Sequence, residues 1–214
     1  MSGGGPEGPQ VPGGPEEPDE LDWPQGAEEA AGPWRPRAWF RGTRRGGATA
    51  RFTADEATLV RGLVSQVAEL VGDEDSGGQD DLEEMLKLSD SVRPPDDPVL
   101  ARLLPDAYPD DPAAAGEFRR YTENSLRAGK VAAAQTVLAT LPSDGGRVRL
   151  SGEDAQAWLR ALNDVRLALG VRLEVTEDWE QMVERLRPDD PRAAGLWVYD
   201  WLTVLQETLV EALW

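Results

Sequence analysis

The stretch Ser151-Gly-Glu-Asp-Ala-Gln-Ala-Trp-Leu-Arg-Ala-Leu-Asn-Asp-Val-Arg-Leu-Ala-Leu-Gly170 decides the architecture. Ser151 is a helix-starting residue, and apolar side chains follow at helical spacing. Ala155, Trp158, Leu162, Val165 and Leu169 fall on one face, while Leu167 lies nearly opposite. A helix that is apolar on two sides has neighbours on both, so the spacing predicts a central helix over 152–169. Asn163, Asp164 and Arg166 then lie near buried surface, where polar groups need partners. Arg119 and Arg120 are the candidates to meet Asp164 or the acidic side chains nearby. The expected set Arg119, Arg120, Asn163, Asp164 and Arg166 reads as a structural polar network that fixes helix packing. The other reading, a ligand site, lacks an accompanying nucleophile, imidazole or phosphate loop.

Further helices are predicted on either side. Thr53-Ala-Asp-Glu56 is a capping box, followed by Leu59, Val60, Leu63, Val64, Val67, Leu70 and Val71, and Gly72 ends the helix. Pro-Asp-Asp-Pro occurs at 95–98, 109–112 and 188–191. Each copy offers Asp as N-cap and Pro as first helical residue. Helices are therefore expected at about 98–104, 113–140, 177–186 and 192–213, with a short one at 82–88 and a weak spot at Ala128-Gly129-Lys130. The acidic run 73–84 reads as a solvated loop, since its spacing is not that of an EF-hand. Arg147-Val-Arg-Leu150 and Val171-Arg-Leu-Glu-Val175 have strand alternation; they could pair with each other or with an earlier hairpin.

That hairpin is read from charge and turn residues. Arg35, Arg37, Arg41, Arg44, Arg45 and Arg51 occur in 17 residues without an acid, and Gly46-Gly47 sits between two short runs. It is the one local basic feature, a contact site for an acidic partner or nucleic acid, or else a solvated hairpin paired with the chain's own acids. The last helix carries more apolar surface than one stripe, including Trp197, Trp201 and Trp214. It belongs in the core, or is shared with a second copy or another protein. The expected partner-binding residues are Arg35, Arg37, Arg41, Arg44, Arg45, Trp197 and Trp201.

Composition bounds the chemistry. The 214 residues carry 22 Lys+Arg against 40 Asp+Glu, a net charge of −18, with no Cys and no His. Disulfides, thiolate nucleophiles and thiol sensing are excluded, as is imidazole chemistry. No catalytic residue, cofactor site or metal site is expected, and the chain is read as not an enzyme. Net charge opposes nucleic-acid binding by the whole surface and favours cationic protein partners. Residues 1–33 hold eight Gly, seven Pro and eight acids without one basic residue, so 1–36 is expected to be a disordered tail. There is no secretory pattern and no run of about 20 apolar residues, so a cytoplasmic protein without membrane contact is expected.

The segments Phe118-Arg-Arg-Tyr-Thr-Glu123 and Ala157-Trp-Leu-Arg-Ala-Leu-Asn-Asp-Val-Arg-Leu-Ala-Leu-Gly-Val-Arg-Leu173, with the Trp-rich closing helix, resemble an actinobacterial family. It is the AosR-like family of oxidative-stress transcriptional regulators, long labelled a domain of unknown function. The likeness covers about 37–214, and Leu162 to Gly170 is its most specific part. It implies a mostly helical cytosolic protein that adjusts transcription through RNA polymerase or an alternative sigma factor, with a link to thiol stress and cysteine supply. The cysteine pair to which redox sensing is attributed in such regulators is absent here, so a disulfide switch does not carry over.

The reading is thus mainly α: a single domain over 37–214, a bundle of about six helices with a small N-terminal β-hairpin. Its expected function is non-enzymatic transcription modulation by protein contacts. The alternatives are a DNA-binding regulator using the Arg35–Arg51 hairpin, and a proteolysis-linked adaptor; a homodimer through the last helix is a further partner option. Deleting residues 1–33 should barely alter thermal unfolding; a large drop in melting temperature would mean that the tail packs on the body.

Overall fold

Trp158 is completely buried, the largest side chain of the core to be so. A computed structural model describes residues 40–72, 94–178, 190 and 192–214. In it three short strands, β1 (Arg41–Gly42), β2 (Ala48–Phe52) and β3 (Gly146–Leu150), form an antiparallel sheet in the order β1-β2-β3. The helices are α1 (Ala54–Gly72), α2 (Pro98–Leu103), α3 (Pro112–Thr140), α4 (Gly152–Arg172) and α5 (Ala193–Leu213). The described residues belong to one compact unit, Pro36–Trp214. The mainly helical class with an N-terminal hairpin is therefore as expected, and β3 joins that hairpin by pairing with β2. The expected tail at 1–36, the acidic run and short helix at 73–88, and most of the helix at 177–186 lie outside the described residues.

Local chemistry starts each element. Thr53 Oγ1 accepts from the Glu56 amide at 3.2 Å, and the Glu56 carboxylate accepts from the Thr53 amide at 2.7 Å, closing the capping box. Ser151 and Asp154 form the same device at α4. Asp97 and Asp111 cap α2 and α3, each followed by Pro. The third Pro-Asp-Asp-Pro departs from the pattern. Asp190 accepts from the Arg192 amide at 2.8 Å within a turn, and α5 begins only at Ala193.

α4 is the central helix and packs against α1, α2, α3, α5 and β3. Trp158 is fully buried and meets Phe40 and Phe52 at centroid distances of 5.6 and 5.7 Å. Its Nε1 donates to Thr140 Oγ1 at 2.8 Å, which satisfies the one polar atom of the ring. Ala157, Ala161 and Ala168 are buried beside the expected apolar face, where small side chains admit neighbouring helices. A satellite core of Val71, Val99, Leu103, Leu104 and Ala168 lies under α2.

Two expectations need correction. The 171–175 run is not a strand. Val171 and Arg172 complete α4, and Val175 N donates to Gly170 O while Glu174 N donates to Val171 O. Glu174 takes φ +54°, so this is a Schellman closure with Glu where Gly is usual. Nor do Arg119 and Arg120 reach Asp164. Lys130 does, with Nζ 2.6 Å from the Asp164 carboxylate. Arg119 lies 11 residues back along α3, about 16 Å of helix, level with the end of α2. There its guanidinium pairs with Asp106 at 2.6 Å and Glu123 at 2.7 Å, and donates to Leu104 O. Burial alone would lower the Arg119 pKa, but the two carboxylate hydrogen bonds outweigh it and hold it above its ordinary value. Arg120 is exposed.

α1 and α3 cap one another. Arg61 of α1 donates to the carbonyls of Leu138 and Leu141 at the end of α3. Arg127 of α3 donates to Val71 O at the end of α1 and also holds Glu123. Cations at helix C-termini satisfy free carbonyls and complement the dipole. α3 runs unbroken through Ala128–Lys130.

Burial raises the Asp164 pKa above its ordinary value, and Lys130 opposes that rise. A raised carboxyl pKa means that the group favours folding while protonated, and that this favour is lost as pH climbs through the folded value. Lys130→Met should destabilise by about 3 kcal/mol at pH 7, because the buried carboxylate loses its hydrogen-bonded cation and keeps only the charge of Arg160. The loss should shrink as pH falls and Asp164 takes up its proton, read as converging melting temperatures. A pH-independent loss would mean that Asp164 does not carry it. Trp201 is 7% exposed, and its Nε1 has no hydrogen-bond partner. Trp201→Ala should cost about 3–5 kcal/mol in urea unfolding, whereas Trp201→Phe, which removes the unsatisfied donor, should cost under about 1 kcal/mol.

Candidate partner-contact surfaces

The sheet has one buried and one open face, and register sorts the arginines. Ala48 pairs with Leu150, Ala50 with Val148, and Phe52 with Gly146. Ala48, Ala50, Phe52, Val148 and Leu150 are all buried. Side chains alternate along a strand and match across it, so the intervening positions point outward. These are Thr49 and Arg51 on β2, Arg147 and Arg149 on β3, and Arg41 on β1. Arg51 lies directly opposite Arg147, and the row Arg41–Thr49–Arg149 crosses all three strands.

The β1–β2 turn adds Arg44 and Arg45, both exposed. Thr43 organises it: its amide donates to Gly47 O, its carbonyl accepts from Gly46 N, and its hydroxyl accepts from Gly47 N. Gly46 takes φ +77°. A Cβ on Gly47 would stand 2.1 Å from Leu150 O, so only glycine lets this turn lie against β3. Arg44, Arg45, Arg51, Arg147 and Arg149 form no ion pair among the described residues. Arg35 and Arg37 lie outside the described residues. The sequence reading did not single out Arg147 and Arg149. Their signal was the alternation Arg147-Val-Arg149-Leu150, whose partner strand only the fold supplies.

The two flagged tryptophans of α5 separate. Trp201 is in the core and therefore unavailable to a partner, whereas Trp197 is 54% exposed. Val210 and Trp214 are also exposed, with Trp214 at 92%. Glu207 and Glu211 are exposed on the same helix and Asp200 is half-buried, so its open side is aromatic and acidic. A second aromatic group stands at the start of α3, where Tyr108 and Phe118 meet edge to face at 5.9 Å.

Arg166 and Asn163 line an open cleft of about 440 Å³ with Arg102, Glu174 and Tyr199. Arg166 does not point freely into it. Its Nε donates to Thr203 Oγ1 at 3.1 Å, its Nη1 to Gln206 Oε1 at 2.9 Å, and its guanidinium lies 5.5 Å from the Tyr199 ring centre. These bonds tie α4 to α5. The five residues expected to form one polar network thus divide between the Arg119 cluster, the Lys130–Asp164 pair, the Arg166 tie, Asn163 in the lining of the cleft and exposed Arg120. Among the described residues no three carboxylates cluster as a metal site would require, and no helix is long and apolar enough to cross a membrane.

Comparison with known proteins gives a consistent picture. A family described as a domain of unknown function, DUF2017, matches residues 32–213. The oxidative stress regulator AosR of Mycobacterium tuberculosis is 41% identical over 195 residues, covering 83% of this chain and 88% of the relative. The same figures hold for the protein of that name in Mycobacterium bovis. A putative oxidative stress regulator AosR of Mycobacterium leprae is 40% identical over 174 residues, 74% of this chain and 78% of the relative. No solved structure matches. With most of its length aligned to these regulators, the chain belongs to the DUF2017 family of AosR-like proteins.

Proposed function

We propose that this chain is a non-enzymatic stress-response regulator that modulates transcription through protein contacts with RNA polymerase or an alternative sigma factor. The observation that carries this reading is the open side of α5, where Trp197, Val210 and Trp214 stand in solvent among acidic residues. Tryptophan is among the residues most enriched at binding hot spots, which makes the exposed rings of Trp197 and Trp214 the candidates to anchor a partner. The acidic neighbours and the net charge of −18 suit a basic patch on the partner. The name carried by its relatives supports the regulatory half of the reading. A chain without cysteine has no thiol switch of its own, so the contact is expected to be insensitive to thiol oxidation of this protein.

The test is a pull-down with the full chain from lysate, in reducing and in oxidising buffer. Polymerase subunits or a sigma factor should be recovered equally in both. Trp197→Ala should weaken that recovery about tenfold or more without lowering the melting temperature, since the ring is outside the core. Recovery of neither would overturn the reading, and a protease chaperone in their place would favour the adaptor alternative.

A further inference from the structure

We propose that the outer face of the sheet, Arg41, Arg51, Arg147 and Arg149 with Arg44 and Arg45 at its turn, is a contact surface for the phosphate backbone of duplex DNA. The inference does not rest on the α5 contact; the two concern different surfaces.

The arrangement is costly without a polyanion. Like charges directly opposite one another destabilise a sheet, and Arg51 faces Arg147 across β2 and β3. The chain has acid in excess, yet five of these six arginines have no ion-pair partner among the described residues. An anion that bridges neighbouring guanidinium groups removes the repulsion.

The composition of the face distinguishes DNA from an acidic protein. Protein interfaces are usually centred on aromatic or apolar anchors. Here every apolar side chain of β2 and β3 points inward, and none of the exposed large apolar residues lies on the sheet or its turn. Arginine, glycine and threonine are what the face offers, which suits charge contact without base reading. Alternate residues on a strand lie about 6.6 Å apart and adjacent strands about 4.8 Å apart. Long arginine stems spread across such a grid can follow successive phosphates of one DNA strand. At physiological salt, charges of the body more than about 8 Å from the face are largely screened.

Fluorescence anisotropy of the full chain with a labelled 20-base-pair duplex of scrambled sequence tests the proposal. Binding should weaken about a hundredfold between 50 and 200 mM NaCl, as about four released counterions require. Arg51→Glu, Arg147→Glu and Arg149→Glu together should weaken it by about thirtyfold or more. Arg102→Glu, Arg120→Glu and Arg172→Glu together make the same change in net charge at exposed positions elsewhere and should weaken it less than about threefold. Thermal melts of both triple variants should show a folded protein, and replacing the three sheet arginines by lysine should retain most binding. No binding at 50 mM NaCl would overturn the proposal, as would equal losses in the two triple variants. Binding of labelled poly-glutamate as tight as that of the duplex would also overturn it, in favour of an acidic protein partner.

Discussion

The burial of the Trp158 ring between Phe40 and Phe52 is the contact on which the rest of the molecule depends. Phe52 ends β2, Phe40 precedes β1, and Trp158 belongs to α4. One ring therefore fastens the sheet to the helix that touches every other helix among the described residues. Thr140, at the end of α3, takes the indole proton and fixes the ring orientation. Thr208 of α5 accepts from the Phe40 amide at 3.3 Å, which brings the last helix to the same point. Large aromatic rings supply this kind of anchorage because each removes much apolar area from water while their edges and faces attract.

Around that centre the charged interior is organised by helix ends. Glu123 is almost fully buried and accepts from Arg119 and Arg127 on its own helix. The same two arginines reach Leu104 O and Val71 O, so the group ties α3 to the ends of α2 and α1. A buried pair is a weak source of net stability, since desolvation offsets much of the attraction. Its effect here is geometric, because the carbonyls it serves occur at only one place along each neighbouring helix. Arg61 fixes the opposite end of the α1–α3 pair in the same way.

Much of this was legible in the residues. Capping boxes and Asp-Pro starts act within four positions of the chain, so Thr53, Asp97, Asp111 and Ser151 revealed the helices they begin. The apolar face of α4 followed from its period. What was hidden depends on level and register between distant elements. Lys130 rather than Arg119 meets Asp164 because of where α3 lies along α4, which no local pattern encodes. The 171–175 alternation was misleading because a Schellman closure can place half-buried side chains at similar spacing. Arg147 and Arg149 became part of one face with Arg51 only when β3 paired with β2 across nearly one hundred residues.

Register also links the core to the surface. A slip of one residue between β2 and β3 would exchange the faces of a strand, sending arginines towards Trp158 and valine or alanine into water. The aromatic contact therefore specifies the cationic face, because Phe52 can reach Trp158 only when Arg51 points away. Gly47 reinforces this, since its close approach to Leu150 O admits no side chain and holds the turn against β3. The basic surface is thus a consequence of how the core closes. A substitution that loosened Trp158 would disturb it before touching any arginine, whereas exchanging the arginines themselves leaves every buried contact of the sheet in place.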